Sequence, residues 1–201
     1  QAQSPEGWRP LGTAYSVQGL RQILLPPDQW HPYPRYDDPG GFGAVPDYAK
    51  QAIVREAETY RGARWAPLPA SRFLEFSLSG NRANYEMLSF ARRRQLAVLV
   101  LAEAIERKGR FLDDIVNGIW AISEETFWGV PAHLSLQKRG PGLPDVQDPA
   151  VDLFAAETAQ ELAWTYYLLK PALDKVSPLV AQRIVYEEKR RILEPYLRHD
   201  D

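Results

Sequence analysis

Residues 80–109, GNRANYEMLSFARRRQLAVLVLAEAIERKG, decide the fold of this chain. Asn81 can cap a helix by accepting an amide hydrogen bond, and Gly109 can end it, so the stretch predicts one long helix from about Arg82 to Lys108. The middle of this helix, residues 96–102, is apolar all round, which predicts burial on every side. A helix buried in this way must be packed between other helices.

Further helices are predicted on both sides of this stretch from apolar residues at helical spacing and from capping residues. They run from Thr13 to Leu25, Asp47 to Tyr60, Phe111 to Glu125, Ala150 to Lys170, and Pro178 to Leu193 or as far as Arg198. Asp148-Pro149 and Ser177-Pro178 are the predicted starts of the last two helices. Residues 73–76 are interpreted as an extended linker and 127–149 as a loop. No alternating apolar pattern of useful length predicts a strand, so the sequence predicts an all-α fold of antiparallel helix pairs.

The predicted helix from Ala150 to Lys170 carries aromatic residues on several sides. Trp164, Tyr166 and Tyr167 cannot all face one neighbour, because successive helical residues point about 100° apart. Either this helix is central, or part of the surrounding protein is missing from the sequence. A truncated fold would leave apolar helix faces bare, so either self-association or a rearrangement of the helices is expected.

Composition excludes several classes of protein and site. The 201 residues carry a formal net charge of −2, which disfavours a nucleic-acid partner. The chain has no cysteine and three histidines, which argues against a metal centre, and no cofactor is predicted. The longest apolar run has seven residues, whereas a membrane span needs about 20. The start at residues 1–5 fits either a mature end after signal cleavage or a fragment boundary, and a periplasmic or secreted location is expected.

The segment 117–133 joins a helix end to a loop rich in glycine and proline, and it holds the candidate substrate-binding residues. These are Asn117, Trp120, Glu124, Glu125, Trp128 and His133. Aromatic faces stack on sugar rings, while carboxylates and amides hydrogen-bond to hydroxyl groups, so the mixture suits a carbohydrate cleft. The alternative is that both tryptophans belong to the core, both glutamates form a solvated helix end, and His133 is structural. The run Arg92-Arg93-Arg94 is interpreted as gripping acidic neighbours or solvent, with polyanion contact as the alternative.

Four motifs carry a resemblance to the N-terminal half of heparinase II/III-like proteins. They are Gly80-Asn81-Arg82-x-x-Tyr85-Glu86, residues 108–120 (KGRFLDDIVNGIW), residues 123–133 (SEETFWGVPAH) and residues 143–159 (LPDVQDPAVDLFAAETA). The likeness covers roughly residues 70–201. Residues 1–69 are interpreted as a variable, aromatic and proline-rich lead-in with two helices, within one structural domain over residues 1–201.

The resemblance implies an incomplete (α/α) toroid from an exported bacterial polysaccharide lyase that cleaves uronic-acid polysaccharides by β-elimination. Full-length relatives continue with more toroid helices and a β-sandwich domain. In such enzymes an Asn or His neutralises the uronate carboxylate, and a Tyr or His takes the C5 proton. The neutralising Asn-Trp motif lies downstream of the stretch that matches Leu193–Leu197, so no catalytic residue is assigned in this chain.

Two other functions remain open at this point. One is a carbohydrate-binding or scaffold module without a catalytic partner, and the other is a toroid glycoside hydrolase. An inverting hydrolase needs two carboxylates that face each other across the scissile bond. Glu124 and Glu125 are adjacent on a helix and point in different directions, so they do not form such a pair by themselves. Elimination alone would give an unsaturated product.

Overall fold

The computed structural model describes residues 14–26 and 29–198, and all regular secondary structure over these ranges is helical. This confirms the predicted all-α class. The helices are α1 Val17–Ile23, α2 Asp47–Tyr60, α3 Ala70–Ser79, α4 Ala83–Glu106, α5 Leu112–Ser123, α6 Leu153–Val176, α7 Pro178–Glu188 and α8 Glu194–Arg198, with a 3-10 helix at Pro131–Leu136 and a π-helical turn at Lys189–Leu193. The chain divides into two compact units, residues 1–34 and 35–201.

The described part of the first unit contains α1, which is shorter than the predicted helix from Thr13 to Leu25. Ser16 caps its N-terminus, because the hydroxyl oxygen accepts a hydrogen bond of 3.0 Å from the Gly19 amide. Leu24 is already extended, two residues before Pro26 in the sequence. Thr13 lies outside the described residues.

The second unit is organised around α4, which packs against α2, α3, α5 and α6. Asn81 accepts a hydrogen bond of 3.2 Å from the Asn84 amide, which confirms the predicted cap. The helix ends at Glu106 because Arg107 adopts the left-handed conformation with φ 57°. The prediction of burial on every side is wrong at Leu101, which is 40% exposed because the neighbouring helices leave its side of α4 open.

The predicted extended linker through residues 73–76 is wrong, since these residues lie within α3. Pro69 immediately precedes the helix, a position that needs no amide hydrogen. Phe73 is buried with its ring edge-on to Tyr85, at a centroid distance of 4.8 Å. Gly80 ends the helix with φ 75°, which glycine adopts without steric cost. Burial of the Phe73 side chain thus stabilises this helix. The prolines that precede it in the sequence favour an extended segment instead.

The predicted start of α6 at Asp148-Pro149 is also wrong. The helix begins at Leu153, where the Asp152 carboxylate accepts a hydrogen bond of 2.7 Å from the Ala155 amide. The Asp148 carboxylate instead accepts from the amide of Lys138, at 2.6 Å. The helix runs on to Val176, beyond the predicted end at Lys170.

The predicted start of α7 at Ser177-Pro178 is confirmed. Ser177 caps the helix by accepting a hydrogen bond from the Leu179 amide, and Pro178 takes the first helical position. The preceding helix, α6, contacts α4, α5 and α7, while Trp164, Tyr166 and Tyr167 are each only half-buried. The helix is therefore packed on several sides but still leaves part of its aromatic surface uncovered. The packing agrees with antiparallel helix pairs, while the toroid itself stays a prediction.

Candidate functional site

The outward face of α5 gathers three of the six predicted substrate-binding residues. Asn117, Trp120 and Glu124 follow one another at helical spacing, and all three are exposed. Trp120 is 41% exposed, and the Arg183 guanidinium lies over its ring at 5.2 Å from the centroid. This face therefore combines an accessible aromatic ring, a cation, an amide and a carboxylate, which are the groups that contact sugars.

The structure places Trp128 in the core, away from this face. Its side chain is 2% exposed, and its indole nitrogen donates a hydrogen bond of 2.9 Å to the carbonyl oxygen of Ile122. Arg191 lies over the ring at 5.0 Å. Neither ring face is offered to solvent, so any part that Trp128 has in binding would be to position its neighbours.

Glu125 is buried between two arginines of α4. Arg93 donates to both of its carboxylate oxygens, at 2.8 and 2.5 Å, and Arg92 donates through one nitrogen at 2.6 Å. Arg94, the third arginine of the run, pairs with Glu56 of α2 at the surface. The Arg92-Arg93-Arg94 run therefore grips acidic neighbours, as the sequence analysis proposed.

A second buried carboxylate, Glu187 of α7, fixes the end of α5. Glu187 is 1% exposed and accepts hydrogen bonds from Arg183 and Arg191, at 2.8 and 2.6 Å, and it forms an ion pair with Arg190 at 2.7 Å. Burial opposes its ionisation, but the hydrogen bond from Arg191 and the three positive charges hold its pKa below the usual range. Arg183 and Arg191 also donate to the carbonyl oxygen of Ser123. These contacts hold Arg183 in place beside Trp120.

His133 lies in the 3-10 helix and is tied to the start of α6. Its Nδ1 is 2.9 Å from the buried carboxylate of Asp152, which also accepts from the Val130 amide. The ring stacks on Phe154 at a centroid distance of 5.5 Å. The structure thus gives His133 structural contacts, while its proposed role in substrate binding stays a prediction.

A cavity of about 370 Å³ adjoins the exposed face of α5 and brings in residues that the sequence analysis missed. Glu124 and Glu125 line it together with Tyr85 and Arg92 of α4. Burial raises the pKa of Tyr85, followed by the nearby charge of Glu125, so its hydroxyl stays protonated at neutral pH. The sequence does mark α4 by the motif Asn81-Arg82-x-x-Tyr85 and by the arginine run. Nothing in the spacing of these residues, however, indicates that Tyr85 and Arg92 line one cavity with Glu124.

Glu161 of α6 is a half-buried residue beside the same cluster, and its buried Oε1 has no hydrogen-bond partner among the described residues. Burial raises its pKa from 4.5 to about 8, against the opposing charge of Arg93. In the unfolded chain this group would lose its proton near pH 4.5, while in the folded chain it keeps it to about pH 8. The folded state therefore loses stability as the pH rises between these values.

We expect Glu161→Gln to stabilise the protein increasingly from pH 5 to pH 8, by an amount on the order of a few kcal/mol at the upper end. Urea unfolding followed by circular dichroism at several pH values measures the effect. Glu157→Gln, one turn earlier on the exposed side of α6, is the control and should show no such trend. If Glu161→Gln increased the free energy of unfolding by the same amount at every pH, the result would contradict a raised pKa of Glu161.

Within the described ranges, no group of three or more potential ligands could hold a metal ion. None of the helices described there is long and apolar enough to cross a membrane. No protein-family model matches the chain, and no curated protein sequence matches it. The features that bear on function are therefore the sequence motifs and the arrangement of side chains around α5.

Proposed function

We propose that this chain is the N-terminal toroid segment of an exported polysaccharide lyase that acts on uronic-acid polysaccharides by β-elimination. In this proposal it forms part of the substrate cleft in the periplasm or outside the cell, and the catalytic residues lie elsewhere in the full-length enzyme. The observation that carries the proposal is the face of α5, where Trp120 is exposed between Asn117 and Glu124 under the Arg183 guanidinium. The resemblance of residues 70–201 to heparinase II/III-like proteins supplies the reaction.

The apolar surface of the C-terminal helices fits the same proposal. Several large side chains there are exposed, namely Leu179, Val185, Tyr186, Leu193, Tyr196 and Leu197. A groove of about 340 Å³ runs between α6 and α7, lined in part by Tyr166 and Tyr186. Further toroid helices of a longer chain would cover this surface, and self-association would cover it in their absence.

The binding part of the proposal is tested with uronate oligosaccharides and two matched aromatic variants. We expect Trp120→Ala to weaken binding about tenfold, which corresponds to a loss of roughly 1.4 kcal/mol from one stacking contact. Tyr48→Ala removes an exposed aromatic ring from α2 and should leave the affinity unchanged. Calorimetric titration gives both values. Equal affinities for the two variants, or no binding of any uronate oligosaccharide, would contradict the proposed cleft.

The catalytic part is tested by the absorbance of the unsaturated uronate that only elimination produces. This chain and a C-terminally extended chain are incubated in parallel with a panel of uronate glycans. We expect a signal from the longer chain alone. A signal from this chain would show that a base and a neutralising group are already present in it. If neither chain produced this absorbance, the result would contradict the proposed lyase reaction and favour a binding module.

A further inference from the structure

The cavity beside α5 has the size and lining of a small-molecule site. Its volume of about 370 Å³ lies within the range of roughly 300 to 1,000 Å³ that is typical of ligand pockets. Phe73, Phe127 and Leu143 form apolar walls, while Tyr85 and Arg92 bring polar groups to its buried side. The pocket therefore combines apolar walls with charged and polar groups, as in sites that orient a bound molecule.

The two arginines around Glu125 differ in how many hydrogen-bond acceptors their guanidinium groups have. Arg93 donates to both oxygens of Glu125 and also to Thr158 and to the carbonyl oxygen of Ser89. Arg92 donates to Glu125 through Nη1, and its buried Nε has no acceptor among the described residues. A guanidinium group has five N–H donors. Because Arg93 alone can neutralise Glu125, Arg92 keeps an uncompensated positive charge and unused donors.

The other charged groups near Arg92 do not remove this excess. Glu161, which interacts with Arg93 and Glu125, keeps its proton at neutral pH because burial raises its pKa to about 8. Glu124 lines the cavity but is exposed at its edge, where water screens its charge. Arg92 is itself 8% exposed. A buried cation without a full set of acceptors is costly unless a ligand supplies them.

We propose that this cavity binds a carboxylate-bearing sugar of about one residue, whose carboxylate pairs with Arg92. The Tyr85 hydroxyl donates a further hydrogen bond to the ligand, and Glu124 at the open edge accepts from ring hydroxyls. The apolar face of the sugar lies against Phe73 and Phe127. The choice of a sugar acid rests on the proposed function, whereas the demand for an anion follows from the unused donors of Arg92.

The test is a titration of the full chain with glucuronate, glucose and acetate, followed by chemical shifts in NMR spectra. We expect glucuronate to bind at least tenfold more tightly than either of the other two. Arg92→Gln should weaken glucuronate binding at least tenfold. The matched control is Arg94→Gln, two residues further along α4, because Arg94 is exposed and paired with Glu56. This variant should keep the affinity.

Two milder variants keep the test decisive if Arg92→Gln does not fold. Tyr85→Phe removes only a hydroxyl group and should weaken binding several-fold. Ala121→Leu adds bulk to the cavity wall and should abolish glucuronate binding. Glucose that binds as tightly as glucuronate would overturn the carboxylate assignment, and acetate that does so would overturn the sugar assignment. Absence of glucuronate binding, or binding that none of the variants of Tyr85, Arg92 and Ala121 alters, would overturn the site itself.

This proposal and the proposed function can fail separately. Oligosaccharide binding that depends on Trp120, without binding of glucuronate, would overturn the Arg92 site and leave the cleft on α5. Binding of glucuronate that depends on Arg92, with no oligosaccharide binding and no elimination by the extended chain, would overturn the proposed function and leave the site.

Discussion

Replacement of Glu103 by alanine is expected to lower the free energy of unfolding by roughly 2 to 5 kcal/mol, because it leaves buried donors without an acceptor. Glu103 is fully buried in α4. Its carboxylate accepts from the Tyr36 hydroxyl at 2.9 Å and from the amides of Gly109 and Phe111 at 2.7 and 3.1 Å. Both amides belong to the turn between α4 and α5, so the loss would reach the start of α5.

Chemical unfolding monitored by far-ultraviolet circular dichroism measures this loss, and Tyr36→Phe is the matched control. The control removes one donor and leaves Glu103 bonded to both amides, so we expect a loss of about 1 kcal/mol. Burial, and then the hydrogen bond to Glu103, raise the pKa of Tyr36 to about 12, so its hydroxyl is a donor throughout the neutral range. If Glu103→Ala and Tyr36→Phe lowered the free energy of unfolding by the same amount, the turn would not depend on the Glu103 carboxylate.

The turn that Glu103 supports has unusual backbone geometry. Arg107 and Gly109 have φ values of 57° and 74°, which reverse the chain within a few residues. The Arg107 guanidinium also donates to the carbonyl oxygen of Asp38, at 2.7 Å. One buried carboxylate therefore helps to set the direction of α5, and with it the face that carries Trp120.

The sequence predicted those parts of the fold that depend on local signals. Helix α2 matches its predicted bounds, Asp47–Tyr60, and the Ser177-Pro178 start of α7 is correct. The errors arise where tertiary contacts decide between local alternatives. Asp148 and Asp152 are both good capping residues, and the contacts of Asp152 with the Val130 amide and His133 select the second. Such contacts join residues far apart in the chain, so no local pattern reveals them.

The sequence predicts the exposed residues of the candidate site but not the contacts between its buried residues. Helical spacing puts Asn117, Trp120 and Glu124 on one face, and the structure shows that this face is open. The buried half depends on the meeting of Arg92 with Glu125, which lies 33 residues further along the chain. Charge alone shows that such residues need partners, but it does not identify which partners they find.

Trp128→Ala is expected to lower the free energy of unfolding by about 3 to 5 kcal/mol, the usual cost of removing a large aromatic side chain from a core. The ring of Trp128 is 2% exposed, and its hydrogen bond to the carbonyl oxygen of Ile122 would be lost as well. Trp120→Ala removes a side chain that is 41% exposed, and we expect it to cost less than about 1.5 kcal/mol, because little packing is lost.

Denaturant unfolding of both variants under the same conditions measures this contrast. Trp128→Phe should fall between Trp128→Ala and the parent protein, since it keeps most of the packing but not the indole hydrogen bond. Similar losses for Trp128→Ala and Trp120→Ala would contradict the placement of the two rings. The contrast also determines how binding data are to be interpreted. Weakened oligosaccharide binding by Trp128→Ala would reflect a disturbed core, whereas the same change in Trp120→Ala would reflect a lost contact, because the fold around α5 remains intact.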